Sequence, residues 1–339
     1  MSDRYSRQTL FLPNGLADQE RLGRAHVALI GCGALGTVIA GHLVRAGVGL
    51  LRIVDRDFIE ASNLQRQTLF DEEDIRLGLP KAVAAERKLA RTNSEVTVEG
   101  RAVDFEPDNA ERLVGDVDLV MDGSDNFEAR YLINDVCVKL GKPWIYSAAV
   151  GGYGVTMNVR PRETACFRCV FPDVPPPGTT ATCDTAGVIG PIGGVIGSLA
   201  SAEALKLLVG VIDKLRTGLL WLDIWNNTFQ STPLAGPVEN CPTCRLGRYD
   251  YLDAGTGSGT ATLCGRSAVQ VRPAGRRQVR FDELGERLKA VGAVSWNPHL
   301  LRFAVNGYEL TLFPDGRAIV KGTEDPAIAR SLYARYIGS

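Results

Sequence analysis

The feature that most constrains the fold is a glycine-rich turn between a short apolar strand and an apolar helix. The turn reads Gly31-Cys-Gly-Ala-Leu-Gly36 and follows the apolar run Val27-Ala-Leu-Ile30. Apolar residues then recur at helical spacing up to Leu43, and a second apolar strand ends at Asp55. A strand, a glycine turn, a helix and a strand form a βαβ unit, which is parallel and right-handed. The start of the chain therefore predicts a Rossmann-like sheet.

The alternation of strands and helices continues after Asp55. The predicted elements are a helix over about 80–91, a strand near Val96, a buried strand over 117–121, a helix over about 127–140 and a strand at Trp144. Repeated units of this kind predict a doubly wound α/β sheet. The pattern beyond Gly151 predicts an antiparallel strand over 153–159, a crossover loop over about 171–187 in a proline-rich stretch, a helix over about 195–208, and strands near 219–224 and 228–231.

A stretch rich in glycine, serine and threonine, residues 253–260, has the composition of a flexible linker. We therefore predict a first domain over 1–248, a linker over 249–262 and a small α+β domain over 263–339. In the last of these, Asn306-Gly307 lies between two alternating runs and predicts a hairpin with a type I′ turn. A strand over 317–321 and a helix over 326–336 follow.

The charge balance excludes several classes of partner. The chain has 38 Lys+Arg against 39 Asp+Glu, a formal net charge of −1. This leaves no basic excess for nucleic acid or for an anionic membrane surface, so neither is predicted as a partner. The charged N-terminus has no apolar core typical of a secretory signal, and Glu203 and Lys206 interrupt the most apolar stretch, 187–212. We expect a cytoplasmic protein, in which eight cysteines point to metal binding or catalysis.

The glycine turn predicts a phosphate-binding site. Backbone amides of a glycine turn and a helix N-terminus cradle phosphate, and an acidic residue at the end of the next strand takes ribose hydroxyls. The residues in these positions are Gly31, Gly33, Gly36 and Asp55. They indicate an adenine nucleotide and fit NAD as well as ATP. The alternative is a tight turn without a ligand.

Polar residues beyond the turn favour ATP over NAD. They are Asp57, Asn63, Arg66, Gln67 and Lys81. A dehydrogenase has no use for so many groups of this type here, whereas Arg and Lys would hold a triphosphate and offset the charge that develops during nucleotidyl transfer. The alternative for each residue alone is an ordinary solvated surface charge.

A third polar segment, Asp122-Gly-Ser-Asp-Asn126, follows the predicted strand that ends at Met121. Ligands of doubly wound folds bind at this carboxyl edge of the sheet. We predict that Asp125 holds Mg²⁺ against the phosphates, with Asn126 beside it. The alternative is an Asx turn in which Asp125 caps the next helix.

Two CxxC pairs predict a structural zinc site. Cys166 and Cys169 form the first pair, and Cys241 and Cys244 form the second. Four thiolates in two such pairs match a closed tetrahedral Zn²⁺ site, which leaves no open ligand position for catalysis. The rival interpretation, redox activity, does not explain why there are two pairs.

Cys183 follows the proline-rich stretch and precedes an apolar helix. A thiol in a loop beside a nucleotide pocket is placed to attack a bound acyl group, and the alternative is a buried loop anchor. Cys32 and Cys137 are predicted to fill the glycine turn and a helix core, respectively. The chain contains no GxxxxGK[ST] motif and only three histidines, so P-loop chemistry and histidine-based catalysis are not predicted.

Seven ordered signals together resemble the ThiF/MoeB/HesA family, bacterial relatives of the ubiquitin-activating enzymes. They are Arg4-Tyr-Ser-Arg-Gln8, the GCGALG turn, SNLQRQ at 62–67, Lys81, DGSDN at 122–126, the paired CxxC and TCDTAGV at 182–188. The resemblance covers about residues 1–248. It implies a homodimeric adenylyltransferase that uses ATP and Mg²⁺ to activate the C-terminal Gly-Gly carboxylate of a ubiquitin-like, β-grasp sulfur-carrier protein.

The resemblance also implies roles for individual residues. Gly36 would lie against the nucleotide and Asp55 would bind ribose. The residues that would contact the phosphates are Asn63, Arg66 and Lys81. Asp125 would hold Mg²⁺, and Arg7 would reach the active site of the partner subunit. Cys183 would take part in thioester or acyl-disulfide chemistry.

The implied reaction gives an acyl-adenylate that a sulfur donor, such as a cysteine desulfurase or a rhodanese, converts to a thiocarboxylate. The pathway stays open between thiamine, molybdopterin, cysteine and tRNA thiolation. The C-terminal segment is short for a fused rhodanese domain, and Cys264 lacks the arginine-bearing loop of one. Two other functions stay open: a non-catalytic module that binds a ubiquitin-like protein, and an NAD-dependent oxidoreductase.

Overall fold

The computed structural model describes residues 3–174, 183–254, 260–263, 268–271 and 279–337. The chain folds into two compact units, residues 1–255 and 256–339. Part of the predicted crossover loop, part of the predicted linker, and Cys264 lie outside the described residues.

The first unit is built on an eight-stranded sheet with the order β3-β2-β1-β4-β5-β6-β7-β8. The five strands from β3 to β5 in this order pair in parallel, and β6 to β8 pair antiparallel. The strands are β1 His26–Ile30, β2 Leu50–Val54, β3 Thr97–Arg101, β4 Leu119–Asp122, β5 Trp144–Val150, β6 Tyr153–Val159, β7 Gly218–Asp223 and β8 Thr228–Pro233. This confirms the predicted doubly wound α/β fold.

Helices cover both faces of this sheet. They are α1 Ser6–Phe11, α2 Leu16–Arg24, α3 Ala34–Ala46, α4 Glu72–Arg76, α5 Lys81–Thr92, α6 Pro107–Val114, α7 Phe127–Leu140, α8 Phe167–Val170, α9 Cys183–Ala186 and α10 Gly190–Val209. Side chains of β1 alternate between two buried cores: Val27 and Leu29 pack with α3, α5 and α10, and Ala28 and Ile30 pack with α6 and α7. Burial on both faces explains why β1 is continuously apolar from Val27 to Ile30.

The starts of two predicted elements differ from the structure by more than one residue. The strand predicted to begin at Val117 begins at Leu119, and Val117 stays buried in the connection before it. Helix α10 begins at Gly190 rather than near Val195, because Pro191 lies in its first turn, where a missing amide proton costs no hydrogen bond. By length and composition, α10 alone among the described helices could cross a membrane, yet half of it is buried and it packs on α3, β5 and β6.

The second unit is a six-stranded antiparallel sheet with the order β11-β12-β13-β14-β10-β9, packed by two helices. Its elements are β9 Thr260–Leu263, β10 Ala268–Val271, α11 Phe281–Leu288, β11 Ala293–Trp296, β12 Leu301–Val305, β13 Tyr308–Leu312, β14 Ala318–Lys321 and α12 Pro326–Tyr336. The predicted hairpin is confirmed: Val305 pairs with Tyr308, and Asn306 and Gly307 have φ angles of 50° and 81°.

Candidate active site and candidate metal centre

The glycine turn after β1 packs backbone to backbone against the turn after β4. Gly31 has a φ of +90°, and a Cβ there would lie 2.6 Å from the carbonyl carbon of Gly123. The amide of Gly123 donates to the carbonyl oxygen of Ile30 at 2.8 Å. A Cβ on Gly36 would overlap the carbonyl oxygen of Gly31. Glycine is therefore required at these positions by close approach, and Gly33 directly precedes α3 with nearly open space beside it.

Asp55 lies at the end of β2 against this turn. Its carboxylate accepts hydrogen bonds from the amides of Cys32, at 2.6 Å, and Asp57, at 2.7 Å. Burial and the charge of Asp57 raise the pKa of Asp55, and Lys81 opposes that rise. Asp55 therefore braces the glycine turn through both of its carboxylate oxygens.

Lys81 is the central cation of the site. It opens α5 and is only 5% exposed, and its Nζ lies 3.2 Å from Oδ2 of Asp57. Its own amide donates to the carbonyl oxygen of Asp57 at 2.8 Å. Burial disfavours charge on Lys81, yet Asp57, Asp55 and Asp125 together raise its pKa above its usual value. Lys81 therefore stays protonated among three carboxylates. An incoming polyphosphate would compete with these carboxylates for the ammonium group.

The segment from Asn63 to Gln67 forms the wall beside the glycine turn. Oδ1 of Asn63 accepts the amide of Glu60 at 3.0 Å, and Arg66 donates from Nη1 to the carbonyl oxygen of Ser62 at 2.7 Å. The side-chain nitrogen of Gln67 lies 3.9 Å from the position of a Cβ on Gly33. Oε1 of Gln67 is buried without a hydrogen-bond partner among the described residues. A buried polar atom left unpaired at the glycine turn fits a site that a ligand completes.

In the turn after β4, one residue makes an Asx turn and another caps the following helix. Asp122 accepts hydrogen bonds from the amide and the hydroxyl of Ser124, so Asp122 makes the Asx turn. Asn126 caps α7, because its Oδ1 accepts the amide of Ala129 at 2.8 Å. The alternative in which Asp125 caps the helix is therefore wrong. Asp125 is exposed, and its charge acts on Lys81 and Arg56.

Arg130 is a site residue that the sequence analysis missed. It is buried on α7, with Nε 3.4 Å from Oδ2 of Asp122 and with Nη2 donating to the carbonyl oxygen of Ser124 at 2.9 Å. Its guanidinium also lies over the ring of Tyr146, 5.5 Å from the centroid. Arg130 lies in the first turn of α7, and its local sequence does not distinguish it from an ordinary helical arginine.

Four cysteines come together as the sequence predicted. The Sγ atoms of Cys166 and Cys169 are 3.7 Å apart, Cys166 and Cys241 are 3.5 Å apart, and Cys169 and Cys244 are 3.5 Å apart. All four sulfur atoms lie within 4.8 Å of one another. Bonds of about 2.3 Å from a tetrahedral Zn²⁺ place its thiolates roughly 3.8 Å apart, so the cluster fits that ion.

Groups around the cluster orient its sulfur atoms. The amide of Val238 lies 3.4 Å from Sγ of Cys169, and Nδ2 of Asn134 lies 3.8 Å from Sγ of Cys166. Asn134 also accepts the amide of Phe167 through Oδ1 at 2.9 Å. Its neighbour Asp135 accepts hydrogen bonds from Thr243 and the amide of Tyr251, and burial raises the pKa of Asp135 to about 6. Helix α7 thus joins the four-cysteine cluster to the turn that carries Asp125.

The remaining predicted residues lie in different segments of the first unit. Cys183 begins the four-residue helix α9, and its side chain lies outside the described residues. Gly187, just beyond α9, accepts the amide of Gly151 at 2.8 Å, which ties this segment to the carboxyl end of β5. Arg7 is exposed on α1. Cys32 and Cys137 are buried, as predicted.

A comparison with known proteins matches residues 5–243 to the model of the ThiF family. The chain is 41% identical over 340 residues to the sulfur carrier protein ThiS adenylyltransferase of Bacillus subtilis, and the match covers 100% of both chains. It is also 41% identical over 247 residues to a sulfur carrier protein adenylyltransferase of Thermus thermophilus, covering 71% of this chain and 90% of that one. Among solved structures, Escherichia coli MccB crystallised with ATP has the same fold, with a TM-score of 0.62 at 24% identity over 72% of this chain and 75% of that chain.

Proposed function

The chain belongs to the ThiF family, and we propose that it uses ATP to adenylylate the C-terminal Gly-Gly carboxylate of a ubiquitin-like sulfur-carrier protein. The observation that carries this function is the 41% identity to a ThiS adenylyltransferase over the full length of both chains. The same similarity argues against the two other functions considered for the sequence, an NAD-dependent oxidoreductase and a non-catalytic binding module.

The geometry of the site supports the binding of a nucleoside triphosphate at the glycine turn. A Cβ on Gly31 or Gly36 would overlap neighbouring backbone, so the turn stays narrow before the N-terminus of α3, and the unpaired Oε1 of Gln67 lies on the adjacent wall. We assign Lys81 and Arg66 to the phosphates. The remaining groups that we assign to the nucleotide are Gly33, Asp55, Asp57, Asn63, Asp125 and Asn126.

The reaction needs positioning and charge stabilisation more than proton transfer. The carrier's terminal carboxylate is already ionised at neutral pH, so it attacks the α-phosphorus without a general base. The bond to the bridging oxygen breaks, pyrophosphate leaves with the electron pair, and an acyl-adenylate forms. Lys81 and Arg66 offset the charge that develops on the phosphate oxygens.

Asp125 is our assignment for holding Mg²⁺. Its carboxylate is exposed at the carboxyl edge of the sheet and is electrostatically coupled to Lys81. Mg²⁺ is bound through one or two carboxylates together with substrate phosphates, which matches a single exposed aspartate beside a triphosphate site. When bound, the ion supplies positive charge to the phosphates. Asp125 orients it from the protein side.

We assign the four-cysteine cluster to structural Zn²⁺. The cluster is built from two segments far apart in the sequence, α8 with the residue before it and the segment after β8. The ion would hold these segments together, and the closed set of four thiolates leaves it no position for substrate.

We propose that Arg7 serves the active site of a partner subunit rather than its own. It lies on α1, whose Gln8 binds the carbonyl oxygen of Ala46 at the last turn of α3. Because α3 has 13 residues, that end lies roughly 20 Å from the glycine turn, beyond the reach of an arginine side chain. Leu10 and Phe11 on the same helix are 79% and 87% exposed. These features support a homodimer in which Arg7 acts in the partner's active site.

The second step, transfer of sulfur to the acyl-adenylate, is assigned to a separate donor such as a cysteine desulfurase or a rhodanese, in the cytoplasm. We propose that Cys183 takes the acyl group in this step, because its helix is followed by the segment tied to Gly151 at the edge of the sheet. The Cys183 sulfur, after losing its proton to solvent, forms a bond to the acyl carbon of the acyl-adenylate. The bond from that carbon to the phosphate oxygen breaks, and AMP leaves.

The carrier that we propose is of the ThiS type. The relative named for ThiS matches both units of this chain, whereas the match to the Thermus thermophilus relative covers 71% of it. ATP:pyrophosphate exchange with purified carriers of the thiamine and molybdopterin pathways tests this, with carriers lacking the terminal Gly-Gly as controls. Exchange that depends on the ThiS-type carrier and its Gly-Gly end supports the proposal. Absence of exchange with every carrier would refute the function.

A further inference from the structure

Helix α1, which carries Arg7, has little packing of its own. It is six residues long, contains no buried residue and has no side-chain hydrogen bond at its N-cap. Helices this short are marginal in water without outside support. An arginine that acts on another subunit needs a fixed starting point, so contacts outside α1 must supply it.

Tyr5, the residue before α1, lies against the end of α3. Gly47 follows α3 in a left-handed conformation with a φ of +81°, and a Cβ there would lie 2.6 Å from both Cζ and the hydroxyl oxygen of Tyr5. Only glycine at position 47 leaves room for the ring. Buried Asn93 donates from Nδ2 to the hydroxyl oxygen of Tyr5 at 2.8 Å and to the carbonyl oxygen of Val44 at 2.8 Å. We call Tyr5, Gly47 and Asn93 the tyrosine seat.

A second contact fixes the chain on the other side of Arg7. Nε2 of Gln8 lies 2.8 Å from the carbonyl oxygen of Ala46 and 2.7 Å from Oε1 of Gln19. The last carbonyls of a helix lack partners within the helix, so these side chains fill acceptors that α3 leaves open. Arg7 is therefore bracketed by two anchors on the end of α3, while its own side chain is exposed.

We propose that the tyrosine seat is the positioning device that aims Arg7 at the active site of the partner subunit. The inference rests on the proposed role of Arg7 in the partner's site and extends it to residues that touch neither substrate nor nucleotide. Tyr5, Gly47 and Asn93 are positioning residues. A defect in the seat should therefore damage the partner's site and leave the site of its own subunit intact.

The sharpest variant is Gly47→Ala, because the added methyl group displaces the Tyr5 ring. Gly141→Ala is a matched control: Gly141 also follows a helix in the left-handed region, with a φ of +67°, but a Cβ there meets nothing within 4 Å. Both variants carry the same kind of backbone strain. Since a misplacement of about 1 Å can cost on the order of 10²-fold in rate, we expect Gly47→Ala to lose pyrophosphate exchange by up to that factor while Gly141→Ala keeps it.

Heterodimers, isolated with two affinity tags, show whether the defect acts across the interface. When a Gly47→Ala subunit pairs with an Asp125→Ala subunit, one of the two sites is intact. That site takes its nucleotide pocket from the Gly47→Ala subunit and a correctly held Arg7 from the Asp125→Ala subunit. It should recover about half of the wild-type exchange if the enzyme is a two-fold dimer. An Arg7→Ala subunit paired with Asp125→Ala should recover likewise. A purely structural loss in the Gly47→Ala subunit would not be rescued.

The outcomes separate the two proposals. If the Arg7→Ala heterodimer recovers and the Gly47→Ala heterodimer stays as inactive as its parent, the seat is refuted and the role of Arg7 stands. If neither recovers, the role of Arg7 in the partner's site fails and the seat fails with it. Wild-type exchange in Gly47→Ala homodimers also overturns the seat.

A second pair of variants covers the case in which Gly47→Ala does not fold. Tyr5→Ala removes the ring and should behave in heterodimers as Gly47→Ala is expected to. Tyr5→Phe keeps the ring in place and loses only the hydrogen bond from Asn93, so it should retain most of the exchange. Equal losses in Tyr5→Ala and Tyr5→Phe, without rescue in heterodimers, would contradict the proposal.

Discussion

Replacing Lys81 with methionine should reduce pyrophosphate exchange by on the order of 10²- to 10³-fold, the typical loss of a preorganised transition-state donor. The ammonium group is almost fully buried and lies 3.2 Å from Asp57, with Asp55 and Asp125 also acting on its charge. Without it, three carboxylates face a triphosphate that is itself strongly negative. Because the repulsion acts on ATP as well as on the transition state, KM for ATP should rise together with the fall in kcat.

The size of the effect follows from the charges. Two unit charges about 4 Å apart interact by roughly 4 kcal/mol at the effective dielectric of a partly solvated site. An energy of roughly 4 kcal/mol corresponds to a loss of about 10³-fold in rate, the upper end of the expected loss. The cost in folding stability should be smaller than the roughly 3–5 kcal/mol of a fully buried pair, because the side chain of Asp57 is 24% exposed and its Oδ1 lies 3.7 Å from Nε of Arg56.

The assay is ATP:pyrophosphate exchange over a range of ATP concentrations, with thermal unfolding measured on the same samples. Lys88→Met is the matched control, because Lys88 lies on the same helix and also pairs with two aspartates, Asp71 at 2.5 Å and Asp74 at 2.6 Å, away from the glycine turn. It should lose comparable stability and keep its exchange activity. Exchange within a few-fold of wild type in Lys81→Met, with the protein folded, would refute the role of Lys81.

Metal analysis should find one zinc ion per chain. Cys169→Ser or Cys244→Ser should lower the melting temperature while folded molecules keep their exchange activity, because a four-thiolate site contributes folding free energy. An unchanged melting temperature in a metal-free preparation would contradict this. Cys183→Ala should leave pyrophosphate exchange nearly intact and lower thiocarboxylate formation, and full overall sulfur transfer in this variant would exclude a covalent role. Burial would raise the pKa of Glu203, yet hydrogen bonds from Lys206, the amide of Arg216 and Asn158 hold it below its usual value. Glu203 therefore contributes stability above about pH 4.5, and this stability is lost as the pH falls through the pKa of Glu203 in the folded protein. Glu203→Gln should flatten the acid side of a plot of melting temperature against pH. An unchanged slope in this variant would contradict the prediction.

The doubly wound sheet and the four-cysteine cluster could be predicted because each depends on a local pattern. The glycine turn between β1 and α3 specifies a right-handed crossover, and two CxxC pairs limit a metal site to one chemistry. The boundaries of α10 were harder to predict, because glycines and Pro191 weaken the helical signal while packing against α3 keeps the helix intact. Local sequence therefore identified the elements better than it identified their ends.

Contacts between distant segments account for what the sequence could not show. Arg130 reads as an ordinary helical arginine until β4 places Asp122 beside it, and the pair then fixes the turn on which Asp125 lies. In the same way, Gly47 reads as a helix stop, and only the fold shows that its missing side chain makes room for Tyr5. Arg130 thus supports the turn that carries Asp125, and Gly47 supports the segment that carries Arg7. Neither Arg130 nor Gly47 is itself assigned to the substrate. Since such support depends on residues brought together from separate βα units, it becomes visible only when the sheet order and the helix ends are known.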